Sequence, residues 1–198
     1  MRQYQLRNIC VCTVEQHKDI LNIRNSDPVR KSMYTEHKIA WDEHVAYIEK
    51  LKIDRKQKVF LVLKGGEKAV GVVSVNHIDT LHKKADWAFY LDKDERGGVG
   101  SALEIFMLDY VFSTLSLEKL NCEVIETNPN VVAMHKKFGF VEEGFRRSNI
   151  EKDGVRMGVH FLGITKDEWR EIREEKVLAV SKKISDITID VDAEQLGA

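Results

Sequence analysis

Apolar and polar positions alternate over residues 6–13, and the run is β-branched enough to predict a strand. Over 15–24 the spacing turns helical, with Ile20, Leu21 and Ile23 available to a core. Asn25-Ser26-Asp27-Pro28 stops that helix, because the residue before a proline leaves the helical region. Residues 29–39 are polar and without a clear period, yet carry Arg30, Met33, Tyr34 and His37. Residues 41–51 form a helical pattern with Trp41, His44, Val45, Ile48 and Leu51 on one broad face. Residues 58–64 and 69–78 read as strands joined at Gly65-Gly66, and 85–91 as another buried strand. After Gly97-Gly98-Val99-Gly100, the positions Val99, Leu103, Phe106, Met107, Tyr110 and Val111 keep helical spacing to about residue 115. A strand over 120–126 follows, then a short helix over 131–138 opened by Asn128-Pro129-Asn130 and ended by Gly139. Residues 140–152 and 155–164 make a second hairpin around Asp153-Gly154. A capping box at Thr165 to Glu168 starts a last helix reaching about residue 182. Strands in succession mixed with helical crossovers predict an α/β fold with a mixed sheet in one domain over 1–182. The acidic segment 183–198 reads as a loosely held tail.

The transition at residues 85–103 is chemically distinctive. Strand, glycine loop and helix N-terminus together build an anion site, since the glycines let several N–H groups converge and the first helical N–H groups lack internal partners. Gly98-Val99-Gly100-Ser101 has no lysine where a P-loop needs one. Leu103 stands where a dinucleotide fingerprint wants a small residue. The loop alone therefore does not say which phosphate it holds, and a helix that merely begins glycine-rich is an equally good reading.

Composition narrows the classes. The chain has 198 residues, 43% of them hydrophobic, and a formal net charge of -1. These values predict a globular domain and give no global basicity for nucleic acid. No apolar run reaches membrane-spanning length and no signal-peptide core is recognisable, so a cytoplasmic protein without membrane partners is expected. Cys10, Cys12 and Cys122 have no disulfide or metal spacing, and no metal is expected.

The segment Val124-Ile-Glu-Thr-Asn-Pro-Asn-Val-Val-Ala-Met-His-Lys-Lys-Phe-Gly-Phe140, taken with Glu95-Arg96-Gly97-Gly98-Val99-Gly100, resembles the GNAT superfamily of acetyl-CoA-dependent N-acetyltransferases. There the loop reads Gln/Arg-x-x-Gly-x-Gly/Ala and the later segment Asn-x-x-Ala-x-x-Tyr-x-x-x-Gly-Phe. Asn128, Ala133, Gly139 and Phe140 match, His135 replaces the tyrosine, and Glu95 occupies the usual basic or amide position. The resemblance covers roughly residues 11–164. It implies a mixed, twisted sheet flanked by helices, with a splayed strand pair that binds acetyl-CoA. The cofactor site implied comprises Phe89, Tyr90, Leu91, Arg96, Gly97, Gly98, Val99, Gly100, Ser101, Ala102, Asn128, Ala133 and Lys136.

Arg24-Asn25, Ser32-Met33-Tyr34-Thr35 and the block beginning at His44 further resemble the subfamily serving pseudaminic acid biosynthesis, as do Gly71 to Ser74 and Glu123 to Glu126. That subfamily acetylates the 4-amino group of UDP-4-amino-4,6-dideoxy-N-acetyl-β-L-altrosamine. The resemblance implies a UDP-amino sugar partner, with a homodimer left open. It places Arg24, Met33, Tyr34, His44, Asn76, His77 and Tyr90 at the acceptor, and Ser74, Glu123 and His135 at the reaction. N–H groups near Phe89 to Leu91 would polarise the thioester carbonyl. Glu123 would take the amine proton, and His135 would protonate the leaving thiolate, making the rate sensitive to rising pH. Strand alternation sets Glu123 with Ile125, opposite Cys122 and Val124, without choosing a face. Arg24, Arg30 and Lys83 are the candidate diphosphate partners, of which only Arg24 matches a family binding position. Trp41 and Trp87 read as core. A ribosomal-protein-type N-terminal acetyltransferase and a non-catalytic acetyl-CoA sensor share the same motifs.

Overall fold

A computed structural model describes residues 1–191, so residues 192–198 of the expected tail lie outside the described residues. The strands are β1 (Arg2–Asn8), β2 (Lys58–Lys64), β3 (Lys68–Asp79), β4 (Lys84–Leu91), β5 (Lys119–Ile125), β6 (Val141–Lys152), β7 (Val155–Thr165) and β8 (Ile187–Val191). They form one sheet in the order β6-β7-β5-β4-β3-β2-β1-β8. Helices α1 (Val14–Arg24), α2 (Asp27–Lys31) and α3 (Trp41–Leu51) cover one face; α4 (Val99–Asp109), α5 (Pro129–Lys137) and α6 (Lys166–Ile184) cover the other. Strand β2 shows why. Phe60 and Val62 enter the α4 side while Val59, Leu61 and Leu63 enter the α1–α3 side, so a strand buried on both faces reads as one apolar run.

The functionally decisive feature is a failure of pairing. β4 and β5 run parallel and pair only at Lys84↔Lys119, Ala85↔Leu120 and Asp86↔Asn121. Beyond Asp86, β4 is held by β3 alone as far as Leu91, and beyond Asn121, β5 is held by β7 alone. The expected mixed sheet, flanking helices and splayed strand pair are all present.

Five local features depart from the sequence reading. Strand β1 ends at Asn8, where the Asn8 side chain accepts from the Cys10 N–H at 2.9 Å and starts a 3-10 turn over Ile9–Val11. Helix α1 ends at Arg24 as expected, but Asp27, the residue before Pro28, does not leave the helical region: it opens α2, in whose first turn the missing proline N–H costs nothing. The last turn of the α4 segment, Tyr110–Thr114, is a π-helix. Residues 187–191, expected in a loose tail, pair in parallel with β1 from Arg2↔Ile187 to Leu6↔Val191. Arg2 fixes this edge: its guanidinium bonds both carboxylate oxygens of Asp186, at 2.8 and 2.9 Å. Of the two tryptophans expected in the core, Trp87 is buried, but Trp41 is 36% exposed. It opens α3 and leans its ring on His44, leaving one side to solvent.

Candidate active site

The split between β4 and β5 opens a cleft of about 730 Å³. Past Asp86 the β5-facing edge of β4 has no strand partner, so alternate N–H and C=O groups of residues 87–91 face the cleft. Arg24, Met33, Tyr34, Asn76, His77, Phe89, Tyr90, Leu91, Glu123, Asn128 and His135 all line this space. A smaller, mainly apolar chamber of about 340 Å³ adjoins it. The chamber shares Arg24, Met33, Phe89 and Tyr90 with the cleft and adds His44 and Ser74. Residues separated by up to 111 positions in the sequence thus converge on these two adjoining cavities.

Glu123 projects from β5 and is exposed; its Oε2 accepts a short hydrogen bond from the Tyr34 hydroxyl. Burial, and then this carboxylate, push the Tyr34 phenol above its ordinary range, so it stays a donor at neutral pH. The loop carrying Tyr34 is fastened by Lys152, which is 5% exposed. Its Nζ donates to the carbonyls of Arg30, Lys31 and Met33 at 2.9, 2.9 and 2.6 Å. They lie at and just beyond the C-terminus of α2, where carbonyls lack helical donors, although that of Arg30 also accepts from the Met33 N–H at 3.1 Å. Ser74 donates from Oγ to the Ala88 carbonyl and accepts from Asn76. His77 sits at a register shift in β3 with φ of 51° and bonds Asp86 at 2.8 Å. The shift turns it out of the ladder toward the cleft.

Arg24 stands between cleft and chamber. Nη2 donates to the Thr35 hydroxyl at 2.8 Å, and Nη1 is buried without a hydrogen-bond partner among the described residues. His44 is buried in the chamber wall with Nε2 3.0 Å from Nδ1 of His17. Burial, then His17, push His44 down to about 4, so it is neutral at neutral pH and serves as a polar wall rather than an anion site. The other proposed diphosphate partners lie elsewhere: Arg30 pairs with Asp27, and neither Arg30 nor Lys83 lines the cleft or chamber.

Of the donor-side residues, Phe89, Tyr90, Leu91 and Asn128 line the cleft, whereas Arg96, Gly97, Gly98, Val99, Gly100, Ser101, Ala102, Ala133 and Lys136 do not. The loop lies beyond the cleft at the start of α4. Val99 and Ala102 turn their side chains into the core, leaving only backbone for a ligand. The first helical bond of α4 runs from the Ala102 N–H to Gly98 at 2.9 Å. The Val99, Gly100 and Ser101 N–H groups therefore have no helical acceptor. Gly98 is required: its φ is 105°, and a Cβ there would sit 2.8 Å from the Lys183 carbonyl. Free N–H groups at a glycine helix start, next to a cleft with an unpaired strand edge, fit a ligand with a pyrophosphate and a long amide-bearing arm. Lys136 instead pairs with Glu142, and the Arg96 carbonyl accepts from Arg2.

His135 is 3% exposed, with its ring in the cleft wall against Trp87, Phe89 and Phe140. Its Nδ1 lies 2.8 Å from Oε1 of Glu104 on α4, a carboxylate with no exposed surface. Sequence reasoning passed over Glu104 and Lys152. The signal for Glu104 is its isolation: it is the one charged residue in the α4 stretch VGSALEIFML. Lys152 gives no local signal, since its partners are about 120 residues away.

Comparison with known proteins places this geometry. A family model described as "Acetyltransferase (GNAT) domain" matches residues 5–157. A spermidine N(1)-acetyltransferase of Vibrio cholerae is 28% identical over 63% of this chain and 73% of its own length. The acetyltransferase PseH of Campylobacter jejuni is also 28% identical, over 69% of this chain and 83% of its own. The solved structure of the Vibrio cholerae spermidine N-acetyltransferase, in complex with CoA and spermine, superposes with a TM-score of 0.77 at 24% identity, covering 85% of this chain and 98% of that one. With its family model spanning most of the chain and its central strands parted as described, this protein belongs to the GNAT acetyltransferases and is an N-acetyltransferase.

Proposed function

We propose that this chain transfers the acetyl group of acetyl-CoA to the 4-amino group of UDP-4-amino-4,6-dideoxy-N-acetyl-β-L-altrosamine, giving the UDP-2,4-diacetamido-2,4,6-trideoxy sugar of pseudaminic acid biosynthesis for flagellin or another surface glycoconjugate. Arg24 carries the reading. A guanidinium between cleft and chamber, satisfied only by the neutral Thr35 and with Nη1 unpartnered among the described residues, suits the diphosphate of a nucleotide sugar. It works against a polycation. Bound acetyl-CoA supplies the activated thioester. Residues 97–101 hold its pyrophosphate through backbone N–H groups, and the open edge of β4 orients the arm and the carbonyl. Glu123, held by Tyr34, takes the proton of the attacking amine directly or through water. His135 returns a proton to the leaving sulfur. Met33, Tyr90 and the apolar chamber fit the deoxy and N-acetyl substituents of the sugar.

A polyamine acceptor is the second reading. It is favoured by three carboxylates facing the two cavities, Glu43, Asp86 and Glu123, and by a relative at the same 28% identity that is named a spermidine acetyltransferase. Thiol release from acetyl-CoA, measured with the UDP-4-amino sugar, spermidine and an Ala- or Ser-starting peptide in parallel, separates the readings. The nucleotide sugar should give a kcat/KM at least about a hundredfold above the others. Arg24→Leu should raise its KM without altering that for acetyl-CoA. Faster turnover of spermidine or of the peptide would overturn the proposal.

A further inference from the structure

The pair formed by His135 and Glu104 is more specific than a buried hydrogen bond. The ring belongs to α5 and the carboxylate to α4, so two helices meet to bring them to 2.8 Å. Trp87 and Phe89 from β4, and Phe140 from the connection between α5 and β6, surround the ring at 5.1 to 6.4 Å between centroids. Nδ1 is used by Glu104, while Nε2 has no partner among the described residues although the ring lines the cleft. The second oxygen of Glu104 is buried and unpartnered. A carboxylate with one free, dry oxygen beside an imidazole is costly to leave ionised alone.

We propose that Glu104 is the positioning residue for protonation of the leaving thiolate: it holds Nδ1 so that the proton at Nε2 of His135 is presented to the cleft. The inference rests on the reading of His135 as the general acid. The acceptor nitrogen forms its bond to the acetyl carbon and the carbon–sulfur bond breaks. The Nε2 proton goes to sulfur, giving the free thiol. The pair begins with two protons, either as carboxylate with imidazolium or as carboxylic acid with the Nε2–H imidazole. Both forms end as carboxylate accepting from Nδ1–H. The proton removed from the amine by Glu123 leaves to solvent, from which the pair is recharged. The other titratable groups around it are Cys122 on β5, whose thiol burial holds well above its ordinary range, and Asp86 and Glu123 at the cleft.

The test begins with the unliganded wild-type protein. Nitrogen NMR of selectively labelled histidine should show a proton on Nε2 of His135 across the pH range of activity, and the Glu104-bound proton as a downfield signal. An Nε2 without a proton throughout that range overturns the proposal, even if no variant folds. In Glu104→Gln the downfield signal should vanish. With acetyl-CoA, kcat of Glu104→Gln should fall about ten- to hundredfold while KM for acetyl-CoA stays within about twofold. With an acetyl ester of an acidic aryl thiol, which leaves without protonation, the variant should come within about threefold of wild type. Combining Glu104→Gln with His135→Phe should cost no more than His135→Phe alone, because a residue acting through another adds nothing once that other is gone. A Glu104→Gln enzyme with wild-type kcat, beside an inactive His135→Phe, overturns the role of Glu104 and leaves that of His135 standing. An active His135→Phe removes both.

Discussion

Glu123 and Tyr34 illustrate how little of an active site is a property of single residues. The carboxylate is exposed, and what distinguishes it from any solvated strand residue is the phenol of a loop 89 positions earlier. Because burial and the carboxylate keep that phenol protonated, it donates throughout the neutral range and restrains the carboxylate without neutralising it. Glu123→Gln should therefore lower kcat by about a hundredfold or more. Tyr34→Phe should cost about tenfold, the size of one hydrogen bond to a charged group. Steady-state acetyl transfer over a range of pH checks both, and an unchanged pH profile in Glu123→Gln would remove it from the mechanism.

At the scale of elements, Lys152 ties the β6–β7 hairpin to the proposed acceptor side of the cleft by bonding carbonyls at the end of α2 and in the loop that carries Tyr34. Lys152→Met keeps the buried stem but strands the carbonyls of Lys31 and Met33, that of Arg30 keeping the Met33 N–H. It should destabilise the fold by about 2 kcal/mol and raise the acceptor KM about tenfold. KM for acetyl-CoA should not move; if both constants move together, the hairpin supports the whole site rather than the acceptor loop. Such couplings mark the limit of what could be read from sequence. The hairpins, α1, α3, the glycine loop and the capping box at Thr165 were legible because their signals lie within a few residues of each other. The partners of Glu104, Lys152 and Asp186 are 31 to 184 positions distant, and no local pattern announces them. Strand β8 shows the same limit. Its alternation of Ile187, Ile189 and Val191 is strand-like, but only β1 gives it a place. The early end of β1 was hidden differently, since the apolar pattern continues past Asn8 while the Asn8 side chain has already turned the backbone.

Across the whole molecule, the face formed by α1 and α3 is joined by His17 and His44, both buried and both held below the ordinary histidine value by burial. His44 takes its proton at about 4 when folded and at about 6.5 when unfolded. Below about pH 6.5 the unfolded chain binds the proton and the folded chain does not, so unfolding is favoured. The stabilising contribution is complete above that pH and is lost as pH falls toward 4. Urea midpoints measured between pH 7 and 4 should decline for the wild type and decline less for His44→Phe. Parallel curves for the two proteins would contradict the assignment.

The bond between Arg2 and Asp186 has a temporal side. Arg2 also donates to the carbonyls of Arg96 and Gly97, at 3.0 and 2.8 Å, so one guanidinium ties the second residue of the chain to the glycine loop and to the start of β8. A ribosome adds about 5–20 residues per second, so Arg2 waits on the order of ten to forty seconds for Asp186. During translation the central hairpins and α1 to α5 can already assemble, while the glycine loop lacks this fastening until residue 186 has been made. The central fold can thus be gained before the glycine loop is fastened, and the making of Asp186 and β8 sets when that loop is held.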